Sequence, residues 1–218
     1  MTGEAELKPK RYTGGRPSQE AALRRDERLI EIAARMFMER GFDATTIDAV
    51  AEAASVGKAT LYARYKDKGA LFAAVVQRQI DRWLVPLGEA AESPLSGRID
   101  DVLLSISRIM MAAALAPEAL AIQRILIAQA LRFPELARLA HQEGWQRSTA
   151  ALATVLAHHR RDGQIVIENA DLAADLFLSL VIGRQTRLAM LGIHTDPVQV
   201  DHRIRAAVGL FLDGVRAR

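Results

Sequence analysis

Apolar residues recur at three- and four-residue intervals along almost the whole chain, the spacing that gathers them on one side of an α-helix. The pattern predicts a first helix from near Ser18 to about Arg40, with Leu29, Ile32, Ala33, Met36 and Phe37 on its buried face. Gly41 follows, at a position where glycine readily ends a helix. A short second helix opens at Thr45 or Thr46, with Asp48 supporting its first turn and Ile47, Val50 and Ala51 facing inward. A third is expected over Lys58–Tyr65, and a fourth from Gly69 or Ala70 to about Leu84. Pro86, Gly88, Ser93, Pro94 and Gly97 then read as a loop. Beyond it the spacing gives helices near Arg98–Ala116, Glu118–Leu131, Pro134–Arg161, Ala170–Leu191 and Pro197–Val215. Pro134 and Pro197 suit a first helical turn, and Asp196 suits the cap before it. Ile165-Val166-Ile167 reads as a connector, not a strand, so the expectation is an all-α fold of nine helices.

The short pair between Thr45 and Leu71 carries the chemistry. At about 100° per residue, Leu61 and Tyr65 fall on the inner side of the third helix with Val56, and Ala59 and Ala63 on the outer side. An ordinary solvated helix face favours Glu, Lys and Gln. Alanines there let a helix backbone approach base edges in the DNA major groove, and their methyl groups suit thymine methyls. Tyr62 and Lys66 flank one side of that face, and Thr60 and Arg64 the other, where the phosphate backbones border the groove. Lys68, at the start of the next helix, is placed to add a phosphate contact. The candidate DNA-binding set is Thr45, Thr46, Gly57, Lys58, Ala59, Thr60, Tyr62, Ala63, Arg64, Lys66 and Lys68.

Composition narrows the alternatives. The net charge of +3 permits nucleic-acid binding without requiring it. Residues 1 to 25 hold six Lys or Arg against three acids, so residues 1–17 read as a basic flexible arm that is either suited to phosphate or minor-groove contact or simply a solvated tail. Within it, Gly15-Arg16-Pro17 has the core of a minor-groove hook, with Gly14 where an arginine would precede it. Cysteine is absent, which removes disulfides, thiolate metal sites and cysteine nucleophiles. The longest apolar run, Ile109–Ala116, falls short of the roughly 20 residues that span a bilayer, and no signal-peptide core is evident. A cytoplasmic location and no membrane partner are expected. The five histidines include one adjacent pair, His158-His159, which points to different faces, and no phosphate-binding glycine loop is present. No metal, cofactor or catalytic residue is assigned, and an all-helical enzyme is the remote alternative.

The run Thr45-Thr46-Ile47, Val50-Ala51, Val56, Thr60-Leu61-Tyr62, Lys68 and Leu71, preceded by Phe37, Arg40, Gly41 and Phe42, resembles the tetracycline-repressor (TetR) family of bacterial regulators. Ser55 stands where that family has a turn glycine, Gly57 where it has a capping serine, and Arg64-Tyr65 where it has Tyr or His followed by Phe. Arg124-Ile125-Leu126-Ile127-Ala128, Arg132-Phe133-Pro134-Glu135-Leu136-Ala137 and Asp171-Leu172-Ala173-Ala174 resemble the AefR-like branch, with Gln129 in place of an acid. The resemblance implies a helix-turn-helix DNA-binding domain over residues 18–68 and a ligand-binding and dimerisation domain over 69–218. It also implies a homodimer on a palindromic double-stranded operator, released by a small-molecule inducer.

Two apolar stripes suit either the chain's own core or a subunit interface, and are assigned to the dimer interface because two half-sites need two copies: Leu172, Leu176, Leu180 and Gly183 on one helix, and Ile204, Val208, Phe211, Leu212 and Val215 on the last. Trp83, Met110, Met111, Gln123, Ile127, Trp145 and Phe177 are the candidate lining of an apolar ligand pocket, although each taken alone also reads as plain core. A regulator without ligand response, or an activator, fits the same residues.

Overall fold

The structure is a computed structural model that describes residues 19–92 and 97–216. The basic arm, Ser18, and the loop residues Ser93 and Pro94 lie outside the described residues. Helices α1 (Gln19–Ala44), α2 (Ile47–Ala53), α3 (Lys58–Arg64) and α4 (Lys68–Glu92) come first. They are followed by α5 (Ile99–Leu115), α6 (Pro117–Gln129), α7 (Pro134–Ala140), α8 (Arg147–Arg161), α9 (Ala170–Met190) and α10 (Pro197–Val215). A π-helical stretch, His141–Gln146, joins α7 to α8. Counted as one interrupted rod, that region makes nine helices among the described residues, as the periodicity predicts.

Local chemistry sets the joints. Gly41, at φ 80°, breaks α1 where the sequence expects its end. A positive φ is open to glycine without the clash a side chain brings. Thr46 caps α2 by accepting from the Ala49 amide at 3.1 Å. Ser55 takes φ 55° in the turn before α3, the left-handed conformation expected of the residue standing in for glycine. Asn169 and Asp196 cap α9 and α10 through their side chains.

One boundary differs from the sequence expectation. The α4 backbone stays helical to Glu92 and does not give way to a loop at Pro86 and Gly88. A proline inside a helix forfeits the hydrogen bond to the carbonyl four residues back, and the helix around it can continue. Ile165-Val166-Ile167 is a connector, held by one antiparallel bridge between Ile165 and Arg216 and by the Val166 amide donating to the Val215 carbonyl at 2.6 Å.

The buried side chains form two clusters. One gathers α1 to α4 and extends to Ile122 of α6 and Leu136 of α7. Phe37, Phe42 and Phe72 are its centre, with ring centroids 4.9 to 5.8 Å apart, and Phe133 joins from the α6–α7 turn at 5.2 Å from Phe42. The other packs α5, α8, α9 and α10, including Leu103, Leu156, Phe177, Val181 and Leu212. Leu84 of α4 packs against both, so α4 is the element common to the two cores.

Candidate functional site

The helix-turn-helix presents the face that the residue spacing predicts. In α3, Leu61 is buried, Tyr65 at its end is buried, and Ala59, Thr60, Tyr62, Ala63 and Arg64 are exposed. Gly57 caps α3 through its backbone, accepting from the Thr60 amide at 3.0 Å and the Leu61 amide at 3.2 Å. Lys66 is exposed beyond the helix end.

Several polar groups on this face are tied to acids or carbonyls. Lys58 Nζ donates to Asp48 Oδ2 at 2.6 Å, and Tyr62 Oη donates to Asp48 Oδ1 at 3.2 Å. The lysine bond holds the Asp48 carboxyl below the usual carboxylate range, while Asp48 raises the Lys58 and Tyr62 pKa values. Arg64 pairs with Asp26 of α1 and lies 5.6 Å over the Tyr65 ring. Lys68 Nζ donates to the Asp43 carbonyl at 3.0 Å, 4.6 Å over the Phe42 ring. The first turn of α4 does not offer all its amides to an anion, because Asp67 Oδ1 accepts from the Ala70 amide at 2.8 Å.

Thr45 is a correction to the predicted set. Its exposure is 0%, and its hydroxyl is directed at the Met36 carbonyl at 3.1 Å and the Gly41 carbonyl at 2.8 Å. The residue closes the end of α1 from inside the core, where no phosphate reaches it. Thr46 remains exposed.

A cavity of about 270 Å³ opens between α4, α5, α6 and the π-helical stretch. Four predicted residues line it: Trp83, Met110, Gln123 and Trp145. Three do not. Met111 and Phe177 are buried in the second core, with Phe177 edge-on to Phe211 at 4.9 Å, and Ile127 is 62% exposed. Val76, Ile80, Ile122, Leu126, Gly144 and Ser148 also line the cavity and were not read from the sequence. Val76 with Ile80, and Ile122 with Leu126, sit one turn apart, a spacing shared by every core stripe, so periodicity alone does not mark a cavity wall.

The π-helical stretch is held firmly. Trp145 Nε1 donates to Asp175 Oδ1 at 2.6 Å, Ser148 Oγ to the Gly144 carbonyl at 2.8 Å, and Arg147 to Asp81 of α4 at 2.8 Å. One wall of the cavity is thereby tied to the helix that continues from the helix-turn-helix.

The predicted interface divides. Leu172 and Leu176 are 56% and 58% exposed, and Gly183 is exposed beside open space. On α10 the assignment is corrected: Ile204, Val208 and Leu212 are buried in the chain's own core, with Phe211, Val215 and Leu180 packed partly against it. The most apolar stripe of α10 is claimed by α5 and α9 within the same chain. Small and apolar residues on its outward side include Ala206, Gly209, Leu210 and Gly214, with Leu210 65% exposed.

No helix among the described residues is long and apolar enough to cross a membrane, and none of their His, Asp and Glu side chains group as a metal site.

Comparison with known proteins agrees with this architecture. The pattern of bacterial regulatory proteins of the tetR family matches residues 29–75, and that of the AefR-like transcriptional repressor C-terminal domain matches residues 101–214. The chain is 30% identical over 101 residues to the transcriptional activator FasR of Mycolicibacterium smegmatis, across 45% of this chain and 46% of that protein. It is 39% identical over 83 residues to the transcriptional repressor KstR2 of the same species, across 36% of this chain and 39% of that protein. The matched stretches therefore span less than half the length of these curated relatives. A TetR-family regulator from Mesorhizobium loti shares the fold with a TM-score of 0.84 at 24% identity, covering 90% of this chain and 98% of that one. The flavonoid-responsive regulator FrrA superposes with a TM-score of 0.76 at 31% identity, covering 89% of this chain and 98% of that one. With a helix-turn-helix pattern at one end and the AefR-like pattern over half its length, the chain belongs to the TetR family of DNA-binding transcriptional regulators.

Proposed function

We propose that the protein is a ligand-released repressor whose homodimer grips a palindromic operator through the Ala59–Ala63 face of α3. The observation that carries the reading is the pairing of that outward alanine face with a deep anchor of Leu61 and Tyr65 behind it. Thr46, Lys58, Thr60, Tyr62, Arg64, Lys66 and Lys68 surround the face as phosphate or base contacts. The dimer is formed by the outward residues of α9 and α10, because reading two half-sites about one helical turn apart needs two copies of α3.

The inducer occupies the cavity between α4 and the π-helical stretch. Its apolar wall and two tryptophans suit a flat, largely apolar molecule, and the similar regulator FrrA responds to flavonoids, so polyphenols are the first class to try. Val76, Ile80, Trp83 and Leu84 of α4 line the cavity, so a ligand that displaces α4 alters the separation of the two reading helices. A coupling of about 1–3 kcal/mol would lower DNA affinity about 5- to 150-fold. Retardation of the protein's own promoter region on a gel, with and without cell extract and then with single polyphenols, tests the reading. A sequence-specific shift abolished by a small molecule supports it. Because coupling is reciprocal, equal inducer affinity with and without operator DNA would refute release. The activator reading has one observation in its favour, the similarity to FasR; a reporter whose expression falls on deleting this protein's gene would establish it.

A further inference from the structure

The α2–α3 pair holds an acid on a face whose attraction for DNA rests mainly on cations. Asp48, in the first turn of α2, takes Lys58 Nζ on one carboxylate oxygen at 2.6 Å and Tyr62 Oη on the other at 3.2 Å. Lys58 and Tyr62 lie one turn apart along α3, so a single carboxylate spans the edge of the reading helix. The placement suits both helices. A carboxylate favours the positive N-terminal end of α2, and it offsets a lysine that the N-terminal end of α3 disfavours. All three side chains are at the surface and within reach of any backbone that docks there.

The consequence is electrostatic. A free lysine on a docking face attracts every phosphate backbone alike, and this term dominates non-specific binding. A lysine whose charge is already balanced adds almost nothing to that attraction while keeping its hydrogen bonds. We propose that Asp48 is a specificity-determining residue of the DNA-reading face: its carboxylate fixes Lys58 and Tyr62 in one orientation and cancels the lysine charge. Arbitrary duplexes are thereby held less tightly than a sequence that also satisfies α3. The inference rests on the docking of α3 described above.

The test is anisotropy titration of a labelled random-sequence duplex, long enough for two half-sites, at several KCl concentrations. Asp48→Asn keeps the shape and an acceptor for Tyr62 but removes the charge. It should bind the random duplex several-fold tighter than the unchanged protein. Lowering the salt from about 200 to about 50 mM should widen that gain about threefold, the effect of one additional neutralised phosphate. Adding Lys58→Met to Asp48→Asn should abolish the gain. Glu52→Gln removes a charge of the same helix that acts on Lys58 only weakly and is hydrogen-bonded to neither partner, and should give clearly less. Carried through equal rounds of selection from a random pool, the Asp48→Asn protein should enrich a weaker motif.

The proposal is overturned by any of four results. These are an unchanged salt slope for Asp48→Asn, a gain that survives Lys58→Met, a Glu52→Gln gain of equal size, or undiminished motif enrichment. If the unchanged protein binds no duplex at all, the docking reading itself has failed, which is a different result.

Discussion

Phe133, on the turn between α6 and α7, lies with its ring centroid 5.2 Å from that of Phe42 at the end of α1. Its neighbour Arg132 pairs with Asp43 at 3.1 Å. Thus the segment leaving one cavity-lining helix is packed into the aromatic centre of the helix-turn-helix. The first core does not stop at the start of α4. Truncating Phe133 to Ala should cost about 2–3 kcal/mol, below the range for a fully enclosed ring because Phe133 is only half-buried. Unfolding by heat should remain one transition in the wild type. Separate early melting of α1 to α3 in a calorimeter would show that this packing does not unite them.

Thr45→Val separates a structural from a DNA-contacting role. The hydroxyl donates inside the core, so its loss should lower stability by about 1–3 kcal/mol in urea titration. DNA affinity of the folded fraction should be unchanged. Normal stability with lost binding would return Thr45 to the interface.

Ser55 holds φ 55° without being glycine. Ser55→Gly should therefore raise stability by about 0.5–1 kcal/mol, read as an upward shift of the urea midpoint. A downward shift would mean that the serine side chain contributes more than its backbone strain costs.

His159 gives a pH dependence whose sign can be worked out. The ring is 0% exposed, stands edge-on to His158 at 5.3 Å, and has no hydrogen-bond partner of good geometry on either nitrogen. Burial first, and the neighbouring His158 second, lower its pKa from the usual 6.5, with Asp162 and Gln164 acting weakly the other way. As pH falls through about 6.5 the unfolded chain takes up the proton before the folded one does, so stability is full above that value and declines below it. The decline is at most about 1.4 kcal/mol per pH unit for one group. His159→Leu should flatten the profile of melting temperature between about pH 7 and pH 5; an identical slope in both proteins would assign the dependence elsewhere.

Charge on the outward face of α9 or α10 should act differently from charge on the inward face. Leu176→Glu and Leu210→Glu should yield a folded, smaller species in analytical ultracentrifugation, since both side chains are exposed in the single chain. Val208→Glu should unfold the protein, because its site is sealed within the second core and an unpaired charge there is costly. An unchanged sedimentation coefficient for both outward variants would place the dimer contact on another surface.

These sites also mark how far the residues alone could be read. The α3 face was legible because one helix turn separates Leu61 from Tyr65 and small residues fill the opposite side. The α10 face was not, because an apolar stripe looks the same whether its own chain or a second copy covers it. Ile204, Val208 and Leu212 went inward and left the quieter Ala206, Gly209 and Leu210 outside. Thr45 fails for a similar reason: a hydroxyl serves a phosphate or a carbonyl equally well, and only the fold around Gly41 decides. The cavity lining was half legible. Tryptophan and methionine drew attention to Trp83, Met110 and Trp145, while Val76 and Leu126 have nothing to distinguish them from ordinary core.

The π-helical stretch carries a last consequence. Such a turn is one residue wider than the α-helical turn on either side, so α7 and α8 enclose a surplus residue beside the indole of Trp145. Deleting one position of that stretch would remove the surplus residue and reshape the wall on which Trp145 stands. On the proposed reading, such a deletion should change which small molecules the cavity accepts, and any accompanying loss of DNA binding would be traced to the Arg147–Asp81 tie to α4.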